Sequence, residues 1–298
     1  MTSEFLRASQ HAYGWVTAIS GSANTRSAYL TDIQAFFSWL KIAGVASPLL
    51  ATEAMISEYI ASLTEASRGE SVVRRSLSAI RSYYQFLADD GHVVSNPAAA
   101  VQHPPVIQGA LQILSVGDAE RILDGAHRRA REAKPGSAKA ISLARSAAML
   151  ETLYSGGLEV SELCALPSSL DLSRAGIHQL QIGNGARRSV IINARALDAI
   201  RFWRDAINQY GSASDAWLFH SVRYNTRPIA RTQMHRDCAE AAEHAGIKLG
   251  FGVSPAVLPD SMVVHLLQRG MPIMHVAQLL GYTDMTPMAR FIQDLQPN

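Results

Sequence analysis

Two acids stand in the stretch LYSGGLEVSELCAL, residues 153–166, where a Gly-Gly turn runs into a short helical pattern. Glu159 follows the turn by a single leucine, a placement open to a general acid or base. Glu162 comes three residues later, on the helix itself. The other groups that carry chemistry are thinly spread. Cys164 and Cys238 are the only cysteines, and both lie in apolar helical patterns. A zinc site needs more ligands than that, and a disulfide does not suit a reducing compartment. Buried free thiols are expected, with no metal and no cofactor.

Arginine is the second signal. Of 27 basic residues only Lys41, Lys134, Lys139 and Lys248 are lysines. Arginine forms bidentate contacts to phosphate, although a genome-wide codon bias gives the same skew. Arg74, Arg75 and Arg81 lie away from the apolar stripe of one helical segment. Arg231, Thr232, Gln233, His235 and Arg236 cluster near the start of another. Arg187 and Arg188 follow a hairpin turn. Arg, Gln and Thr side chains contact phosphates and base edges, and a solvated helix face is the plain alternative for each cluster. The net charge of +2 argues against tight non-specific binding to nucleic acid, which depends on phosphate neutralisation.

The elements that must position these groups are mostly helices. The 298 residues suit two domains better than one. TRSAYLTDIQAFFSWLKIAG spaces Tyr29, Ile33, Phe36, Phe37 and Leu40 at a helical period and stops at Gly44. TEAMISEYIASL predicts a second helix. SVVRRSLSAIRSYYQFLADDG predicts a third, with Val73, Leu77, Ile80, Tyr84 and Leu87 on one stripe. Residues 102–114, with paired prolines, predict a linker between a domain over 1–101 and another over 115–298. In the second domain Ser115, with Asp118 three residues on, predicts an N-cap. Helices are expected over 115–131, 137–154, 160–166, 195–210, 229–245, 259–269 and 273–280. IHQLQI and RSVIIN, joined across residues 183–186, predict a β-hairpin. No apolar run reaches the length of a membrane span and no signal-peptide pattern opens the chain, so a cytoplasmic protein without membrane contact is expected.

Taken in order, these blocks resemble the tyrosine recombinases, the phage-integrase family. SVVRRSLSAIRSYYQFLADDGHVVSNPA looks like the last helices of that family's N-terminal core-binding domain. LYSGGLEVSELCALPSSLDL resembles the T-G-L-R-x-S-E-L block, and GNGARRSVII the G-K-G hairpin. SPAVLPDSMVVHLLQRG is similar to the H-x-x-R helix, and VAQLLGYTDMTPMARF to L-L-G-H followed by the nucleophilic tyrosine. The resemblance implies a mainly α fold with a small β-sheet: a helical, SAM-like core-binding domain followed by a catalytic-type recombinase domain. It also places the arginine clusters at 74–81 and 231–236 on faces that meet double-stranded DNA.

In that family a tyrosine hydroxyl attacks a DNA phosphodiester and leaves a 3′-phosphotyrosine bond, while protein cations neutralise the phosphate. Carried over by position, the first arginine falls on Glu159 and the hairpin lysine on Asn184. The H-x-x-R pair falls on Ala256 and Pro259, the later histidine on Tyr282 and the nucleophile on Phe291. All six residue types differ from the family pattern. The resemblance therefore implies a chain that is not an enzyme, but a DNA-binding accessory or regulatory protein in site-specific recombination or DNA integration, with an active tyrosine recombinase as its partner. A relocated site is one alternative: Tyr282 as nucleophile, assisted by Arg290, His265, His275 or Arg269. A protein-interaction module without DNA binding is another. Seven residues follow Phe291, where relatives have a further helix, so assembly into the family's cyclic tetramer is expected to be weak or absent.

Overall fold

The computed structural model describes residues 3–21, 23–66, 69–103, 111–182, 186–250, 252–282 and 284–293, without the side chains of 181, 182, 186–188 and 293. The chain forms two compact units, 1–109 and 110–298. It is mostly helical, with a small sheet.

The first unit contains α1 (Ser3–Ala18), α2 (Ala23–Ile42), α3 (Glu53–Glu65) and α4 (Glu70–Asp89). Helix α1 has no counterpart among the expected helices. Its buried Phe5, Ala8, Ala12, Trp15 and Val16 do follow a helical spacing, but with small alanines in the stripe. Trp15, Phe36, Tyr83 and Tyr84 fill the core. Their polar atoms are satisfied: Trp15 Nε1 donates to Ser82 Oγ at 3.1 Å, Tyr83 to the Ala8 carbonyl at 3.1 Å and Tyr84 to the Pro48 carbonyl at 2.6 Å. A buried aromatic hydroxyl left without a partner would cost about 1–3 kcal/mol.

The second unit begins within the stretch expected as a linker. Leu114 is buried, its N–H donates to Ser261 Oγ at 2.9 Å, and its carbonyl lies 2.9 Å from His265 Nε2. Ser115 caps α5 (Val116–Glu132) by accepting from the Asp118 N–H at 3.0 Å. Helix α6 (Ala138–Gly156), capped by Ser137, is buried along most of its length. Its buried Glu151 accepts from Arg195 at 2.7 Å and pairs with His127 Nε2 at 2.8 Å. One carboxylate thereby ties α6 to α5 and to α8 (Ala194–Tyr210).

The hairpin pairs β1 (Gly176–Ile182) with β2 (Ala186–Ile192) in antiparallel register, Gly176 opposite Ile192 and His178 opposite Val190. Leu180, Val190 and Ile192 face the core while Ile177 and Gln179 are exposed, the period-2 alternation of a half-buried ribbon. The remaining elements are α7 (Val160–Cys164), α9 (Arg231–His244), α10 (Val257–Gln268), α11 (Ile273–Leu279) and α12 (Ala289–Gln293). Helix α10 starts two residues before the expected Pro259. Proline is tolerated there because the first N–H groups of a helix have no intrahelical acceptor.

The Gly-Gly turn is the tightest junction. Gly157 ends α6 in the left-handed region at φ +57°. A Cβ at Gly157 would lie 2.5 Å from Met262 Cε and 2.8 Å from Leu280 Cδ2; one at Gly156 would lie 2.7 Å from Val190 Cγ1. Ser155 locks the same corner, donating to the Ile191 carbonyl at 2.7 Å and accepting from the Asn193 N–H at 3.2 Å. Gly157→Ala should cost roughly 2–4 kcal/mol, from overpacking plus the left-handed backbone. Gly136→Ala, at φ +74° with open space around it, should cost only about 1 kcal/mol. Denaturant unfolding compares the two; equal losses would show that the close packing at Gly157 carries no weight.

Candidate functional site

Just past that turn a cleft of about 340 Å³ opens in the second unit. Five of the six positions singled out in the sequence line it: Glu159, Ala256, Pro259, Tyr282 and Phe291. They come from four separate segments. The sixth, Asn184, lies outside the described residues.

Each segment is held by local rules. Glu159 is the N-cap of α7, and its N–H donates to Glu162 Oε2 at 2.8 Å, the return bond of a capping box. Glu162 is thus occupied in the backbone, and Glu159 keeps an exposed carboxylate at the cleft. Ala256 and Pro259 stand at the start of α10. Tyr282 follows α11, with its N–H on the Ala277 carbonyl at 3.0 Å. Phe291, on α12, is fully buried against Met262, Val263, Val276 and Met288.

Three charged groups join them. Arg231, the first residue of α9, and Arg290 bring two guanidinium groups, while Asp260 adds a carboxylate. Arg290 donates to Asp260 Oδ1 at 2.8 Å and its guanidinium sits 4.5 Å from the Phe291 ring centre. Burial raises the Asp260 carboxyl above its usual range, with Arg290 pulling it back down. The cleft therefore contains one hydroxyl-bearing aromatic ring, two cations and two acids. Arg231 was expected only as a DNA contact. Asp260 carried no sequence signal, because its importance depends on the ion pair it forms across 30 residues.

Other candidates are committed elsewhere. His265 Nε2 faces the Leu114 carbonyl, so Nδ1 accepts from Tyr154 Oη at 2.8 Å. Burial lowers its pKa, and with both ring nitrogens engaged it has no part in the cleft. His275 and Arg269 do not line it either. Both cysteines are buried and free, and burial raises their pKa values, as expected for inert thiols. Among the described residues no group of three or more His, Cys, Asp or Glu side chains could hold a metal ion.

The expected DNA contacts divide in two. Arg75 forms a bidentate pair with the buried Asp32, at 2.8 and 3.1 Å. Arg81 donates to the Ala98 carbonyl at 3.2 Å and to the Val101 carbonyl at 2.5 Å, and meets His103 Nε2 at 3.0 Å. These two guanidinium groups also make bonds inside the first unit, and Arg74 is half-buried beside them. On α9, Gln233 donates to Asp237 at 2.7 Å and Arg236 to Gln233 at 2.8 Å. Arg231, Thr232 and His235 are exposed. The side chains of Arg187 and Arg188 lie outside the described residues.

Comparison with known proteins gives the class. The phage integrase family model matches residues 117–296, and the phage integrase N-terminal SAM-like domain matches residues 18–91. The chain belongs to the phage integrase family, the tyrosine recombinases. Tyrosine recombinase XerD of Rhizobium meliloti (strain 1021) is 31% identical over 266 residues, 89% of this chain and 83% of the relative. Tyrosine recombinase XerD of Brucella suis biovar 1 (strain 1330) is 35% identical over 218 residues, 71% and 68% of the two chains. Among solved structures, XerH site-specific recombinase bound to difH substrate superposes with a TM-score of 0.74 at 12% identity, over 97% of this chain and 92% of that one. A lambda integrase(75–356) dimer bound to a COC′ core site gives 0.67 at 15% identity, over 100% and 97%. The chain thus has the fold of recombinases solved on DNA.

The expectation that this chain is not an enzyme is corrected by these relatives. Proteins this similar over most of its length are named tyrosine recombinases. Substitution at aligned positions does not separate a lost active site from a moved one, and the cleft holds a tyrosine and two arginines.

The ion pair sets a checkable electrostatic state. Arg290→Ala removes the group that lowers the Asp260 pKa, so that pKa should rise further. Carboxyl-carbon NMR titration measures it; an unchanged Asp260 would mean that the 2.8 Å contact does not persist in solution.

Proposed function

We propose that the chain binds double-stranded DNA and takes part in site-specific recombination or DNA integration, as a subunit seated beside a second tyrosine recombinase on a recombination-type site. The carrying observation is the cleft. It joins Arg231, at the exposed start of α9, to five motif positions drawn from four separate segments. A phosphodiester against this cleft meets Arg231 and Arg290, while Thr232 and His235 extend the contact along α9. We infer a cytoplasmic location from the proposed work on cellular DNA. Among the described residues no helix is long and apolar enough to cross a membrane.

Glu159 tempers the affinity. Its exposed carboxylate opposes a phosphate at the cleft mouth, and the net charge of +2 supplies little general attraction. A mobility-shift series at low and moderate salt should show duplex binding that Arg74→Ala with Arg231→Ala weakens. Glu159→Gln should tighten it a few-fold. No shift for any duplex at low salt would favour an interaction module that does not bind DNA.

A second reading is favoured by one observation: Tyr282 brings a phenol hydroxyl into the same cleft as two guanidinium groups. In strand transfer the Tyr282 oxygen would attack phosphorus and lose its proton. The phosphorus–5′-oxygen bond would break, and the leaving oxygen would take up a proton as a 5′-hydroxyl. Suicide substrates separate the two readings. A covalent protein–DNA adduct that disappears in Tyr282→Phe establishes strand transfer at Tyr282. Duplex binding without an adduct would show DNA binding with no strand transfer at Tyr282.

A further inference from the structure

A larger cavity, about 750 Å³, lies in the second unit between the first turns of α6, residues 221–230 and α9. It shares no lining residue with the cleft at the Gly-Gly turn. Six cations line it against two acids. One acid, Glu240, stands 3.9 Å from Arg129. The side chains of Lys139, Arg223 and Arg227 make no hydrogen bond or ion pair among the described residues. Like charges gathered without counter-ions repel one another, and a bound anion relieves that repulsion.

The floor of the cavity gives the second, independent observation. Arg145 is only 5% exposed. One of its terminal nitrogens donates to the His220 carbonyl at 3.0 Å, and the other stands 3.9 Å from Asp237 Oδ2. That is too far for a hydrogen bond. The Arg145 Nε and Asp237 Oδ2 atoms are both buried without a partner. Buried polar atoms of this kind are rare, because each unmade bond costs about 1–3 kcal/mol. An oxyanion reaching the floor would meet the Arg145 guanidinium, whose Nε has no internal acceptor. Burial raises the Asp237 pKa, against the lowering pull of the Gln233 hydrogen bond and of Arg145.

Shape selects among anions. Duplex phosphates lie on a broad convex surface and reach rim residues, whereas Arg145 is recessed. The volume is that of a small-molecule site. Ser142 and Ser146 add hydroxyls, and Tyr224, 62% exposed, offers a ring face at the rim. We propose that this cavity binds a phosphorylated small molecule of nucleotide size, its phosphoryl group held by Arg145 and by the rim cations Lys139 and Arg227.

Isothermal titration calorimetry of the full chain with inorganic phosphate, adenosine 5′-monophosphate and adenosine tests this. The monophosphate should bind saturably at one site and adenosine should not bind. Lys139→Ala with Arg227→Ala should weaken the monophosphate at least tenfold without moving the unfolding midpoint, since neither side chain bonds to another of the described residues. Both arms stand whether or not the chain binds DNA. No saturable binding of monophosphate or phosphate would overturn the proposal. So would wild-type affinity in the double variant.

Discussion

The second unit depends on the close approach at Gly156 and Gly157. Strand β2, helix α10 and the end of α11 all come within contact distance of two residues that have no side chains. The space is so tight that a single added carbon would sit 2.5–2.8 Å from Val190, Met262 or Leu280. Ser155 adds two hydrogen bonds to the same corner. The left-handed turn at Gly157 then releases the chain into α7, which aims Glu159 at the cleft. Packed cores transmit small displacements because they contain few voids. A shift at this junction would therefore move the walls of the cleft built by α7, α10 and the end of α11.

The cleft itself is a balance of charge. Arg290 is held by Asp260 and stacked on Phe291, which leaves Arg231, among the described residues, as the cleft cation without a carboxylate partner. Glu159 stands at the mouth with its charge exposed. Such an arrangement meets a phosphate with little net attraction, and binding has to draw on contacts beyond the cleft. The guanidinium groups of Arg75 and Arg81 also stabilise the first unit from within.

Much of this organisation was legible in the sequence. The Ser115 cap, the alternation of the hairpin and the apolar stripe of α4 follow from local rules that tertiary context did not override. Family resemblance supplied what periodicity could not, the convergence of residues 159, 256, 259, 282 and 291 from distant segments. Three features escaped. Helix α1 was hidden because alanines make up much of its stripe. Arg75 looked like a surface cation because its partner, Asp32, lies 43 residues away. The Asp260–Arg290 pair is likewise a product of folding alone. The inference of a non-enzyme failed for a different reason: position-by-position comparison shows which residue types changed, and cannot show whether a neighbouring group such as Tyr282 takes over a role.

The central claim is that the cleft beside the Gly-Gly turn and the start of α9 form the surface that meets DNA. Hydrogen–deuterium exchange of the full chain, with and without a bound duplex, addresses it most directly. Protection should concentrate in residues 157–161, 231–236 and 281–282, with the exchange of α8 unchanged. A duplex that binds yet leaves those three segments exchanging as in the free protein would contradict the account.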